Sequence, residues 1–206
     1  MPAPLPRLED LPDLRGARVL VRAELNAPLE QGRVSDDLRI TTTIPTIEWL
    51  RERGAAVALA AHLGRPKGEV RAEFSLAPVA ERLGTLLGTE VPLAPSATGA
   101  ATAALVASLG EGEVLMLENL RFDAGEEGND ADFAKQLAKL GDVFIQEAFG
   151  ALHRAHASTA GLPKLLPGSI VARQLKAVLT NSSCPEALRT TSWAFTSPVT
   201  KQAAGT

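Results

Sequence analysis

Apolar residues recur along the chain in four short runs: Ala17 to Val21, Ala55 to Ala61, Val114 to Leu117 and Val143 to Ile145. The intervals between them are too long for hairpins, and helical spacing fills most of them. Ile44 to Arg53 predicts a helix closed by Gly54, and Leu76 to Leu87 a second closed by Gly88. Asp130 to Leu140 predicts a third, with Asp130 near its start and Gly141 at its end. A weaker strand is expected at Glu90 to Leu93, and an alanine-rich helix at Ala100 to Leu109. Strands that alternate with helices form βαβ units. The expected class is therefore α/β, a three-layer lobe with a mostly parallel sheet of about five or six strands and helices on both faces.

Polar residues follow a plan of their own, because each main apolar run ends in a cluster of them. The clusters are Arg22, Glu24 and Asn26; His62, Gly64 and Arg65; Glu118, Asn119 and Arg121; and Gln146 with Glu147. Parallel strands share one direction, so the clusters are expected to gather along the carboxyl edge of the sheet, where open α/β sheets bind ligands.

Composition adds bounds. A chain of 206 residues holds one good-sized domain with a real core, and 45% hydrophobic with only 4% aromatic residues suits helices and strands over an all-β fold. A net charge of -3 gives no general attraction to nucleic acid or membranes, so any anion site has to come from a local cluster. The single cysteine, Cys184, excludes an internal disulfide and a cysteine-rich zinc site. No charged-then-apolar leader opens the chain, and a reducing cytoplasmic setting is the expectation. From Thr180 to Thr206 the periodicity lapses, and 11 of 27 residues are Ser, Thr or Asn. The chain is accordingly divided into a lobe over 1–170 and, over 171–206, a vestigial linking segment with a poorly ordered tail.

The chemistry concentrates in the cations Arg39, His62, Arg65, Arg121 and Arg154, with His153 and His156 nearby in sequence. Guanidinium groups converging from separate loops repel one another unless an anion sits among them, and their planar forks suit phosphate and carboxylate. A small, multiply negative ligand is expected, with Glu24 and Asn26 offering hydrogen bonds to a hydroxyl or carboxyl group. Plainer readings stand beside this one. Arg22 directly after a strand reads as solvated or salt-bridged, and Arg39 behind Asp36 and Asp37 as part of an ion-paired loop. His153 and His156 lack a third ligand in a recognisable motif, so no metal site is assigned.

Seven strings in order carry a family resemblance: Leu20-Val-Arg-Ala-Glu-Leu-Asn-Ala-Pro28, Asp36-Asp-Leu-Arg-Ile40, His62-Leu-Gly-Arg-Pro-Lys-Gly68, Ser75-Leu-Ala-Pro-Val-Ala-Glu-Arg-Leu83, Leu117-Glu-Asn-Leu-Arg-Phe122, Gly125-Glu-Glu127 and His153-Arg-Ala-His-Ala-Ser158. They resemble successive motifs of the N-terminal lobe of phosphoglycerate kinases. The resemblance implies a Rossmann-like lobe that holds 3-phosphoglycerate through Glu24, Leu25, Asn26, Arg39, the run His62, Leu63, Gly64 and Arg65, Arg121 and Arg154. His62, Arg65, Arg121 and Arg154 would grip the phosphate side. Arg39 would lie near the carboxylate that receives a phosphoryl group, and is the residue expected to be catalytic.

The family transfers a phosphoryl group reversibly between magnesium-ATP and 3-phosphoglycerate in glycolysis, using a second lobe for the nucleotide. No Gly-x-x-x-x-Gly-Lys-Ser/Thr or Gly-x-Gly-x-x-Gly string occurs in this chain, so no site for Mg-ATP or Mg-ADP is recognised. The expectation is a truncated homologue that retains mainly the acid site and is inactive or nearly so alone. A separately made nucleotide lobe is the conceivable partner, and the chain is otherwise expected to be a monomer. A non-catalytic module that binds a phosphorylated acid, or a non-functional remnant, are the competing readings. The chain also departs from the family pattern: Glu24 stands for Asp, and Gln146-Glu147 for Asn-Asp, each adding one methylene. Asp123-Ala124 replace His-Pro, and Ala151-Leu152 replace a small pair.

Overall fold

The computed structural model describes residues 8, 11 and 13–166 and the backbone of residues 170–171. Apart from residue 171, the expected linking segment and Ser/Thr-rich tail lie outside the described residues. The sheet is parallel throughout, in the order β5-β4-β1-β6-β7. Its strands are β1 (Arg18–Arg22), β4 (Ala56–Ala60), β5 (Val114–Met116), β6 (Val143–Gln146) and the two-residue β7 (Ile170–Val171). Four substantial strands with a short edge strand sit at the low end of the expected count. The segment read as a weak strand at 90–93 contributes a single parallel bridge, Leu93 to Met116.

Alternation along the strands decides which face each residue covers. Val19 and Val21 of β1 with Val57 and Leu59 of β4 pack into one buried layer; Leu20, Ala58 and Ala60 join the other. Helices α1 (Leu38–Arg51) and α2 (Ala77–Leu87) cover the first layer through Ile40, Ile47, Leu50, Val79 and Leu83. Helices α3 (Ala100–Ala107) and α5 (Ala131–Ala138) cover the second through Val106, Phe133 and Leu137. Three layers result, as the βαβ pattern requires.

The helix stops follow local chemistry. Gly54 and Gly88 take φ of +73° and +65°, the left-handed conformation that ends helices where a side chain would strain. Asp130 caps α5, its Oδ1 accepting the N–H groups of Asp132 and Phe133 at 2.9 and 2.8 Å. Helix α1 departs from the reading, beginning six residues before Ile44. A run of three β-branched threonines and Pro45 argue against helix there. Burial of Ile40, Thr43, Thr46 and Ile47 overrides that propensity, and Asp36 Oδ1 accepts the Leu38 N–H at 2.8 Å at the helix start. A small hairpin, β2 (Leu29–Glu30) and β3 (Arg33–Val34), precedes the helix; Gln31 and Gly32 at its turn both have positive φ, as a primed turn demands.

After β1 the chain crosses to β4 on one side, whereas β6 pairs with β1 on the other. The strand order therefore switches between β1 and β6, and the segments leaving their carboxyl ends flank the crevice where such sheets seat ligands.

Candidate functional site at the carboxyl edge

Arg22 ends β1, and its side chain turns inward. It is 1% exposed, so of the two plain readings, solvated or salt-bridged, the solvated one does not hold. Its Nε donates to Ser158 Oγ at 3.0 Å, Nη1 to the Ala23 carbonyl at 2.8 Å, and Nη2 to His62 Nδ1 at 2.8 Å. Its counter-charge is Glu126 on the short helix α4 (Ala124–Glu127), which has no exposed surface. Glu126 accepts the Ser158 hydroxyl at 2.6 Å and its N–H at 3.0 Å, and stands 3.7 Å from His156 Nδ1. Burial alone would raise the Glu126 carboxyl, but His156, Arg22 and Ser158 hold it below the ordinary range.

The loop after β4 carries His62, Leu63, Gly64 and Arg65. Asn26, on the loop after β1, accepts the Gly64 N–H at 3.0 Å, and Arg121 Nη1 donates to the Gly64 carbonyl at 2.8 Å. Gly64 has φ of +62°, and a Cβ there would run into the Phe74 ring, so glycine is needed for both reasons. Three expected site residues are thus tied into one backbone knot. Arg121 is nearly buried and lies 3.3 Å from Glu127 through Nε. Its pKa is lowered, first by burial and then by the charges of Arg154 and Arg65, against the pull of Glu127 and Glu126.

The His62 ring feels Arg22, Arg121, His156 and Arg154 together, and burial with these charges pushes its pKa down to about 2. Cations from four separate segments therefore sit within one another's field. Arg65 is exposed, and Arg154 is half-buried with its Nε 3.2 Å from His153 Nε2.

Arg39 lies on the first turn of α1, not in an ion-paired loop. Its partner is Glu24, whose Oε1 accepts Arg39 Nη1 at 3.0 Å, while Asp37 pairs with Arg82 at 2.5 Å. The side chains of Leu25 and Leu63, both expected at the site, are buried in the apolar layer on the α1 side of the sheet, and their carbonyls accept from the Ala27 N–H and from Asn119 Nδ2 at 2.8 Å. Glu118 and Asn119 serve the scaffold. Glu118 accepts Ser75 Oγ and the Leu76 N–H at the start of α2, and Asn119 donates to the carbonyls of Leu63 and Phe74. Arg22, Glu126, His156 and Ser158 are the residues that site reasoning from sequence did not select. The apolar surroundings of Arg22 in the sequence were the available signal, since a cation there needs a buried partner.

The three lengthened residues leave polar atoms unmatched: Glu24 Oε2, Gln146 Nε2 and Glu147 Oε2 are buried without a hydrogen bond among the described residues. Glu147 accepts a short hydrogen bond from Thr46 on α1, yet burial pushes its carboxyl up to about 7. A raised folded pKa stabilises the protonated form, so this contribution is full below about pH 4.5 and is lost as pH rises through 7. The loss amounts to about 3 kcal/mol at 1.36 kcal/mol per unit. His62 acts in the opposite sense, its depressed pKa removing stability as pH falls below its ordinary 6.5. Urea denaturation of the wild type and Glu147→Gln at pH 5 and pH 8 separates the two. The variant is expected to gain about 2–3 kcal/mol relative to the wild type between these values, since pH 5 already lies above the unfolded pKa, and a constant difference would count against a buried carboxyl that titrates near 7.

A cleft of about 760 Å³ lies at the opposite, amino end of the strands, lined by Arg15, Trp49, Arg53 and Glu111 among others. It mixes both signs of charge: Arg15 pairs with Asp13, and Arg53 stacks on Trp49 at 3.8 Å. It shares no residue with the cation cluster. Among the described residues no group of three or more His, Cys, Asp or Glu side chains is placed to hold a metal ion, and no helix is long and apolar enough to cross a membrane.

A parallel sheet covered on both faces, with cations of several loops drawn together at its carboxyl edge, defines an α/β lobe of the class that seats ligands beyond its strand ends. The family model described as phosphoglycerate kinase matches residues 8–188, and the chain belongs to that family. A phosphoglycerate kinase structure from Coxiella burnetii is 36% identical, with a TM-score of 0.77 over 85% of this chain and 43% of its own. One from Pyrococcus horikoshii OT3 is 30% identical, with a TM-score of 0.75 over 84% of this chain and 44% of its own. The chain thus spans less than half the length of these two structures.

Proposed function

We propose that this lobe binds 3-phosphoglycerate at the carboxyl edge of its sheet. The observation that carries the reading is the gathering of Arg22, Arg65, Arg121 and Arg154 around the uncharged His62 ring, a set of positive charges that an anion would relieve. In this reading His62, Arg65, Arg121 and Arg154 hold the phosphate. Asn26 fixes the Gly64 turn, and Arg39 lies beside the carboxylate, where its charge can pass from Glu24 to the acid. The described residues offer no cradle that fits magnesium, and no step is assigned to metal or nucleotide on this lobe.

Full phosphoryl transfer in this family brings two substrates together, and positioning supplies much of its rate. The lobe by itself is therefore expected to bind the acid and to turn over poorly. Calorimetry of the 206-residue chain is expected to give saturable 3-phosphoglycerate binding and none for magnesium-ATP. Absence of acid binding overturns the proposed site. Ordinary turnover in a coupled kinase assay overturns the assignment of the chain to the acceptor side alone.

A further inference from the structure

The contacts beneath the candidate site form one continuous chain. Glu126 has only acceptor atoms when ionised, so the Ser158 hydroxyl donates to it at 2.6 Å. With its single proton committed there, Ser158 Oγ accepts from Arg22 Nε at 3.0 Å. Arg22 Nη2 is a donor without acceptor capacity, and it meets His62 Nδ1 at 2.8 Å. That nitrogen must then accept, because a proton on it would set two donors against each other. The ring's remaining proton belongs on Nε2, which has no hydrogen bond to a described residue and is not among the buried unpartnered atoms.

We propose that Glu126, Ser158 and Arg22 form a positioning relay that fixes His62 as a neutral, Nε2-protonated ring, so that it meets the anionic ligand as a hydrogen-bond donor and not as a cation. The proposal rests on the ligand reading above for its anion and deepens it. The charges that face the ring agree with this state. Arg22 comes from β1, Arg121 from the turn after β5, and Arg154 and His156 from the segment after β6; all of them disfavour a second proton on it. Glu126 offers the opposing charge, but its oxygens are spent on Ser158 and lie beside Arg22 and His156. A neutral donor also suits an empty site, since it adds no further repulsion to the arginines when the anion is absent. Ser158, which touches no ligand in this arrangement, is a positioning residue.

The relay is read directly by long-range proton–nitrogen NMR on the full 206-residue chain between pH 5.5 and 8, with the His62 ring assigned from the spectrum of His62→Gln. The Nε2-protonated tautomer of His62 is expected throughout, without titration. Ser158→Ala is expected to release the ring into a mixture of tautomers, still without titration because burial and the surrounding arginines remain, and Ser158→Thr, which keeps the hydroxyl, to restore the wild-type signal. A wild-type His62 protonated on Nδ1, or one that titrates between pH 5.5 and 8, overturns the proposal whatever the variants do. An unchanged tautomer in a folded Ser158→Ala removes Ser158 from the relay and overturns it as stated.

The ligand arm uses sulfate, which keeps its charge over this range, beside 3-phosphoglycerate. Sulfate affinity is expected to change less than threefold between pH 8 and pH 6. A tenfold rise on acidification that His62→Gln abolishes would show this histidine binding as a cation, and would overturn the proposal; a rise that the variant keeps belongs to Glu147 and leaves the proposal standing. If neither anion binds, the ligand reading fails, while the tautomer spectrum still decides the relay.

Discussion

Glu126→Ala is expected to destabilise the fold by about 3–5 kcal/mol in urea denaturation, the largest effect of any single substitution proposed for this chain. Arg22 is 1% exposed and Glu126 has no exposed surface, so neither charge can turn to water when its partner is removed. The variant leaves a buried guanidinium whose neighbours are Ser158 Oγ, the Ala23 carbonyl and a neutral His62 ring. Ser158 in turn loses the acceptor for its hydroxyl and for its N–H. A loss of this size is a large share of the stability of an ordinary domain. Removing both charges is expected to cost much less than removing one, because Arg22 and Glu126, which meet through Ser158 and not directly, then leave no uncompensated buried charge behind. Arg22→Met with Glu126→Leu should therefore recover most of the loss. A double-mutant cycle reads the coupling, and additive single losses would show that the two charges do not compensate each other.

Arg121→Lys is expected to weaken 3-phosphoglycerate binding at least 30-fold by calorimetry, equivalent to about 2 kcal/mol, while the fold persists. Arg121 makes two uses of its fork at once. Nη1 donates to the Gly64 carbonyl at 2.8 Å, and Nε lies 3.3 Å from Glu127, while Nη2 makes no hydrogen bond to a described residue. A lysine ammonium is a point charge and cannot hold the Gly64 turn and a phosphate oxygen in the same geometry. The His62-to-Arg65 loop is then free to shift, and the remaining cations lose their common focus. Wild-type affinity in the variant would place the anion elsewhere. Loss of affinity together with loss of cooperative unfolding would be a folding effect, which thermal melts of the same samples detect.

Some elements of this lobe were legible from local pattern. The four apolar runs became β1, β4, β5 and β6 within a residue or so at each end. Gly54, Gly88 and Asp130 mark helix ends because they act through their own backbone or side chain, without help from distant residues. The beginning of α1 was not legible. Leu38 to Thr43 is helical because Ile40 and Thr43 are covered by the rest of the core, and no local preference of Thr41-Thr-Thr43 conveys that. The hairpin β2–β3 is too short for an alternating pattern to register.

The candidate site divides in the same way. Its cations were legible as types, at the ends of apolar runs, and the parallel sheet brings them to one edge as the strand direction requires. Their individual environments were not. Arg39 pairs with Glu24 across the β1–α1 connection although Asp36 and Asp37 are closer in sequence. Leu25 and Leu63, themselves expected at the site, turn their side chains into the core.

What the sequence by itself determined is the family, through the resemblance of its ordered motif strings, and the α/β layering and the collection of positive charge at one edge, which follow from periodicity, strand direction and residue type. What only the tertiary structure decided is which charges are buried and how they are partnered. Arg22 is separated from Ser158 by 136 residues and from His62 by 40, and those contacts exist only once β1, β4 and the segment after β6 are packed side by side. Burial and a fixed donor at Nδ1 then set the protonation of His62, because the free energy of a charge depends on the solvent and dipoles around it and not on the residue that carries it.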